Sequence, residues 1–219
     1  MKKSVFLAPF LVLSSVFAYS APVTYNGITF PAGDVSFADS LIDLTLGSPA
    51  PTDPDFLDGT SALGPPDYDG TGAVSLGVGG NITVEFTDNS LTGSNSDDDD
   101  LHIFEIGPDV EDTDVWISMN GIDFISVGSV GGSVSSIDID PYLSALSLDP
   151  FSQFSFVRLQ DVASEGNTSG PTVGADIDAI GAISSAPPVT RNIPEPATFG
   201  IILLGLAGLG LILRRRENY

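Results

Sequence analysis

The sequence predicts an all-β fold, an antiparallel β-sandwich, with a signal peptide before it and one transmembrane helix after it. Three observations carry this expectation. Glycine (24) and proline (16) are frequent, and helical periodicity is scarce away from the two ends. Short alternating or β-branched runs recur at 35–43, 73–76, 81–86, 101–106, 113–119, 124–127, 134–139, 154–159 and 176–183. Turn-forming pairs separate them, among them Asp69-Gly70, Gly79-Gly80, Asn120-Gly121 and Gly131-Gly132.

Taken in order, the first run, 35–43, precedes a long loop predicted over 44–72, and a second long loop is predicted over 87–100. Met119-Asn120-Gly121-Ile122 reads as a hairpin turn, because Asn-Gly tolerates the positive φ that such turns need. Residues 140–150 suit a helical turn. Phe104, Phe124, Phe154 and Phe156 read as core, and Trp116, alternating within its run, reads as core rather than as a sugar platform shared with Tyr25, Tyr68 and Tyr142. No internal repeat is present.

The N-terminus has the parts of a secretory signal peptide, assigned here to residues 1–21. Met1-Lys2-Lys3 is a basic n-region, the following stretch to Phe17 is mostly apolar, and Ala18, Ser20 and Ala21 offer cleavage positions. An uncleaved anchor is the alternative, disfavoured by the short apolar stretch. Signal peptidase and the Sec machinery are the implied partners. Residues 22–185 form the expected domain and 186–193 a proline-containing linker. Between the targeting segments lie 172 residues, enough for one domain with a sizeable core.

Charge narrows the function. Of 29 acidic residues, 27 lie within 22–193, against two basic ones there, Arg158 and Arg191, and no lysine. Nucleic-acid binding through phosphate neutralisation is excluded on that balance. Carboxylates this dense repel one another unless cations bind or screen them. Calcium is the expected remedy outside the cell, and a plainly acidic, soluble surface is the alternative. Cysteine is absent, so packing, with or without metal, must hold the domain.

Candidate metal ligands follow from placement. Asp176 and Asp178 share one face if 176–183 is a regular strand, with Ile177 and Ala179 on the other, and Asp138 and Asp140 are arranged alike. Asp161 ends a strand just before a loop. Asp39 precedes Leu41-Ile42, Asp67 follows two prolines, and Asp100 opens a strand beside the run Asp97-Asp98-Asp99. Those last three read as a solvated loop. One or two structural calcium sites are therefore expected from Asp39, Asp67, Asp100, Asp161, Asp176 and Asp178. An EF-hand is excluded, since its Asp-rich loop with a downstream Glu is missing.

No enzyme is expected. His102 is the sole histidine and reads as a solvent-face strand residue. No Gly-x-Ser-x-Gly elbow, phosphate loop or dinucleotide fingerprint is present. Carboxylate pairs for glycoside hydrolysis carry little information in so acidic a chain.

The C-terminus reads Asn192-Ile193-Pro194-Glu195-Pro196-Ala197-Thr198-Phe199, then an apolar run to Leu213, then Arg214-Arg215-Arg216. Residues 197–213 are 17 uncharged residues, a helix of about 26 Å, at the short end of what spans a bilayer. The arginines would stay cytoplasmic and stop transfer. Pro194 and Pro196 keep the residues around Glu195 extended ahead of the helix. This series, 194–219, resembles the sorting signal of PEP-CTERM proteins of Gram-negative bacteria. The resemblance implies an exosortase partner, transient anchoring in the inner membrane, and a final place at the cell surface or outside it. A plain tail anchor is the alternative.

The middle of the chain has a resemblance of its own. Ala62-Leu63-Gly64-Pro65-Pro66-Asp67, Val74-Ser75-Leu76-Gly77-Val78-Gly79-Gly80, the segment Asn81 to Asp88, Asp100-Leu101-His102-Ile103-Phe104-Glu105, the segment Val115 to Gly121, Phe156-Val157-Arg158-Leu159-Gln160-Asp161 and the segment Gly174 to Gly181 occur in order. Together they resemble bacterial cell-surface domains with a galactose-binding-like jelly roll. That resemblance implies a structural or adhesive surface protein associated with extracellular polysaccharide, or a carbohydrate-binding module with a defined glycan. A secreted glycan-active enzyme is the remaining class.

Overall fold

Two antiparallel sheets share one hydrophobic core in the computed structural model, which describes residues 21–68, 72–107, 111–131 and 135–189. The expected signal peptide up to residue 20, the expected linker residues 190–193, the segment 194–219, and Asp69, Gly70 and Gly132 of the expected turns lie outside the described residues. The chain divides into a unit ending at Val189 and a second from Thr190 onward, and all the described residues belong to the first.

The elements follow the alternation of the sequence. Strands β1 (Val23–Tyr25) and β2 (Ile28–Phe30) make a hairpin, and a 3-10 turn over Gly33–Ser36 leads to β3 (Ser40–Thr45). Then come β4 (Val74–Ser75), β5 (Asn81–Glu85), β6 (Ser90–Leu91), β7 (Leu101–Glu105), β8 (Thr113–Ser118) and β9 (Ile125–Val130). The chain closes with β10 (Ser136–Ile137), helix α1 (Asp140–Ala145), β11 (Phe156–Asp161), β12 (Asp176–Ala182) and β13 (Ser185–Ala186). One sheet has the order β3-β5-β11-β8-β9 and the other β10-β7-β12-β4.

Alternation decides which side chains meet between the sheets. From the first sheet Ile82, Val84, Val115, Ile117, Val157 and Leu159 point inward, each 0% exposed. From the second, Val74, Leu101, Ile103, Ile177 and Ile180 meet them. Burying each such side chain contributes about 1.5–3 kcal/mol, which is how a cysteine-free domain holds together. The opposite face of the second sheet is covered too. There Phe104 packs with Phe30, Phe37 and Ala179 under the β1–β2 hairpin.

Several expected elements differ. The run 35–43 does not start as a strand: Gly33, at φ +74°, opens a 3-10 turn, and β3 begins only at Ser40 and continues to Thr45. The hairpin after β8 is wider than a two-residue turn. Asn120 accepts the amides of Ile122 and Asp123 on its side-chain oxygen, at 2.9 Å each, and only Gly121 takes positive φ. The expected strand over 134–139 narrows to β10, because Asp138 turns the chain into α1. Trp116 and Phe124 are not core. Both are half-buried on the outer face of the first sheet, where the Arg158 guanidinium lies 3.9 Å over the Phe124 ring and Arg158 stands opposite Trp116 in the strand register.

The face assignment in β12 also changes. Ile177 pairs with Glu105 and Ala179 with Phe104, so two steps along β12 oppose one along β7 and Asp178 is the bulged residue. Ile177 consequently faces the main core while Ala179 faces the outer aromatic cluster, and the regular alternation expected for Asp176 and Asp178 does not hold.

Candidate metal centre

Asp100, just ahead of β7, is fixed by its backbone on two sides. Its amide donates to Ile137 O at 2.8 Å, and its carbonyl accepts from Ile183 N and Ser184 N at 2.7 and 3.1 Å. Its side chain is 0% exposed, and Oδ2 accepts from Ile139 N at 3.0 Å. The segment after β10 supplies the opposing groups. Asp138 Oδ1 accepts from the amide of Asp140 at 2.9 Å, an Asx turn that reverses the chain into α1. Asp140 Oδ2 in turn accepts from Ser94 N, Ser94 Oγ and Ser96 N at 3.1–3.2 Å, stitching the acidic loop to the start of α1. Gly93 makes room for this, since a Cβ there would collide with Asp140 Oδ1.

One carboxylate oxygen from each of Asp100, Asp138 and Asp140 lies within 4.8 Å of the others. Calcium sits about 2.3–2.6 Å from its oxygens, so ligands on opposite sides are separated by roughly 5 Å and this spacing fits one ion. Two further facts mark the cluster as incomplete by itself. Asp100 Oδ1 and Asp140 Oδ1 are buried and complete no hydrogen bond. Arg158 is the only lysine or arginine among the described residues, and it is held at the Phe124 ring. Burial pushes the Asp100 carboxyl up to about 6, although the Ser184 hydroxyl and the Ile139 amide pull it back down. Burial also raises Asp138, with the Asp140, Asp97 and Asp99 charges adding to the rise.

Of the six aspartates expected as ligands only Asp100 belongs to this cluster, and Asp67 and Asp178 meet each other elsewhere. Asp161, 3% exposed, has both oxygens engaged: Oδ2 accepts from Gly79 N at 2.7 Å and Oδ1 from Ala175 N at 2.8 Å. Asp39 is exposed and caps the turn after β5 through Thr87 N at 2.7 Å. Asp67 is exposed and donates its amide to Asp178 Oδ1 at 3.3 Å. Asp178 is pushed up to about 6 by burial, partly countered by the Asp67 amide. Asp176 accepts a short hydrogen bond from the Ser75 hydroxyl and is likewise raised to about 6 by burial. Asp138 and Asp140, outside the expected set, complete the one group of three among the described residues. The paired Asp-x-Asp spacing carried their signal, but convergence with Asp100 comes from the Asx turn and not from a strand face.

A second acidic grouping lies at the other end of β7. Glu105 Oε1 accepts from Glu111 N at 3.0 Å, and burial pushes the Glu105 carboxyl up to about 8, with the Glu111 charge contributing. His102 does not stand free in solvent. It is half-buried, its Nδ1 lies 2.7 Å from Ser136 Oγ, its ring meets Phe104 edge-on, and burial lowers its pKa to about 4. Tyr25 donates to Asp34 Oδ1 at 2.9 Å and packs on Phe37, whereas Tyr68 packs near Phe56, so these rings form separate contacts.

Among the described residues no helix is long and apolar enough to cross a membrane. Placement in the cell comes from the other end of the chain. Residues 192–216 match the PEP-CTERM protein-sorting motif. The chain thus carries the address of an exported, exosortase-sorted protein whose C-terminal region is membrane-associated before processing. Comparison with curated proteins gives no match.

Proposed function

We propose that this protein is a structural or adhesive component of the cell surface or extracellular matrix. It would be cut from its membrane segment by exosortase and associate with exopolysaccharide in the biofilm matrix. The sorting motif at 192–216 carries the reading. The cysteine-free, strongly acidic β-sandwich supports it, being a form suited to a calcium-containing exterior and to repelling nucleic acid. In this reading signal peptidase and the Sec machinery handle the N-terminus, calcium is structural, and no reaction is catalysed. The galactose-binding-like jelly roll belongs to the same proposal. The test is deletion of the exosortase in the producing cell. Release of the protein into the matrix fraction should stop, with the unprocessed chain retained in the membrane. Unchanged release would overturn the reading.

A second reading, a carbohydrate-binding module, has one observation in its favour. An open cleft is lined by Pro31, Phe151, Gln153 and Ile183, and Phe151 is 60% exposed there, an available face for a pyranose ring. Glycan binding that Phe151→Ala abolishes would favour it.

A further inference from the structure

The buried Asp100 carboxylate poses a problem that the rest of the fold does not solve. A carboxylate removed from water costs several kcal/mol unless its oxygens are paired. Asp100 is 0% exposed, and although Ile139 N donates to Oδ2 and the Ser184 and Ser94 hydroxyls act on the carboxyl, Oδ1 completes no hydrogen bond. Asp140 repeats the pattern. Its Oδ2 collects three donors from Ser94 and Ser96 and its Oδ1 collects none. The third carboxylate, Asp138, brings its charge to the same point instead of a donor. Backbone and serine donors thus reach Oδ2 of Asp100 and Asp140, Oδ1 of each is buried with its hydrogen bonding incomplete, and the three carboxylates converge to within 4.8 Å.

Among familiar occupants, a water brings two protons but no charge, and three carboxylates need charge. A lysine or arginine is not at hand, because the one described basic residue sits on the other sheet. A hard divalent cation supplies both charge and several coordination positions. We infer that Asp100, Asp138 and Asp140 form a calcium site that staples the acidic loop ahead of β7 to the start of α1.

The inference deepens the proposed function, since calcium is the cation that an exported chain meets, and it names the site that the general expectation left open. The remaining coordination positions fall to water or to oxygens of the loop, where Asp97 and Asp99 already act on Asp138 through their charge. Magnesium suits the site less, because it demands near-octahedral ligands at shorter range and gives up its water reluctantly.

The test is a calcium titration followed by calorimetry on the full chain in detergent, with Asp138→Asn, Asp140→Asn and Asp43→Asn as variants. Asp43 is an exposed carboxylate on β3, so its variant removes the same charge far from the cluster. The wild type should bind calcium with the sub-millimolar to millimolar affinity of extracellular modules, and either cluster variant should weaken it by at least about tenfold. Asp43→Asn should leave it within about twofold. Asparagine keeps an acceptor for the Asp140 amide, so Asp138→Asn serves if Asp140→Asn fails to fold. Equal weakening by all three variants would overturn the site while leaving diffuse cation screening intact. Absence of binding by the wild type at millimolar calcium would overturn both the site and the calcium reading, with exosortase sorting untouched.

Discussion

Asp161 and Asp100 are two carboxylates buried to nearly the same depth, at 3% and 0% exposure, and they are solved differently. Asp161, at the end of β11, receives Gly79 N on one oxygen and Ala175 N on the other, so it ties the turn after β4 to the approach of β12. Asp100, at the start of β7, receives Ile139 N on Oδ2, completes no hydrogen bond on Oδ1, and lies beside two more carboxylates. Burial alone therefore does not mark a binding site. A buried acid whose two oxygens are both used by backbone amides is a structural clamp, and one with an unpartnered oxygen beside further carboxylates is a place for a ligand.

Removing the clamp should have the largest effect. Asp161→Ala leaves the buried Ala175 amide and the part-buried Gly79 amide without their acceptor, and hydrogen bonds to charged groups contribute about 1.5–3 kcal/mol each, so a loss of roughly 3–6 kcal/mol is expected. Urea unfolding should show the same loss in calcium and in chelator. A loss that appears only in calcium would make Asp161 a metal ligand and erase the contrast.

Asp100→Asn should behave in the opposite manner. Calcium at a hundredfold excess over Kd stabilises the wild type by about 2.7 kcal/mol, and the variant should lose that increment. In chelator it should be at least as stable as the wild type, because a buried charge has been removed. Denaturant midpoints in the two conditions separate the contributions.

Glu105 sharpens the comparison by pH. Its folded pKa is raised to about 8 by burial, above the ordinary glutamate value near 4.5. A raised acid contributes stability that is fully present below the unfolded value and lost as pH rises through the folded one. In chelator, stability should therefore fall from about pH 4.5 and level off above about pH 8, and Glu105→Gln should flatten that fall while its amide oxygen still accepts from Glu111 N. Thermal unfolding across this range checks it, and a steeper fall in the variant would contradict the assignment.

The smallest effect is expected on the outer face of the first sheet. Arg158→Met removes the guanidinium over Phe124 and its Nε hydrogen bond to Thr83 Oγ1, 3.0 Å long. A loss of about 1–2 kcal/mol is expected, identical with and without calcium, by denaturant titration.

The sandwich was legible in the sequence where alternation is clean. Val115, Ile117, Val157 and Leu159 alternate with Asp114, Trp116, Arg158 and Gln160, and strands β8 and β11 fall where that pattern puts them. The β1–β2 hairpin has its own signal in Asn26-Gly27. Asn26 and Gly27 take φ of +48° and +85°, the Asn-Gly turn between short alternating runs. The bulge at Asp178 leaves no trace in hydrophobic period, because it is set by pairing with β7 and by the amide of Asp67. Trp116 and Phe124 were misread because alternation gives two faces without saying which is inside. Asp100 was legible as a candidate from its place at a strand start. Its partners were not, since Asp138 and Asp140 reach it through a turn formed by their own hydrogen bond.

The most direct test is a crystal structure of the exported domain grown in calcium, with the ion identified by its anomalous signal. The expected result is one calcium bound by Asp100, Asp138 and Asp140 at about 2.3–2.6 Å, with Asp161 still on its two amides. Calcium at Asp161, or a fully calcium-soaked crystal with water alone between Asp100 and Asp140, would contradict it.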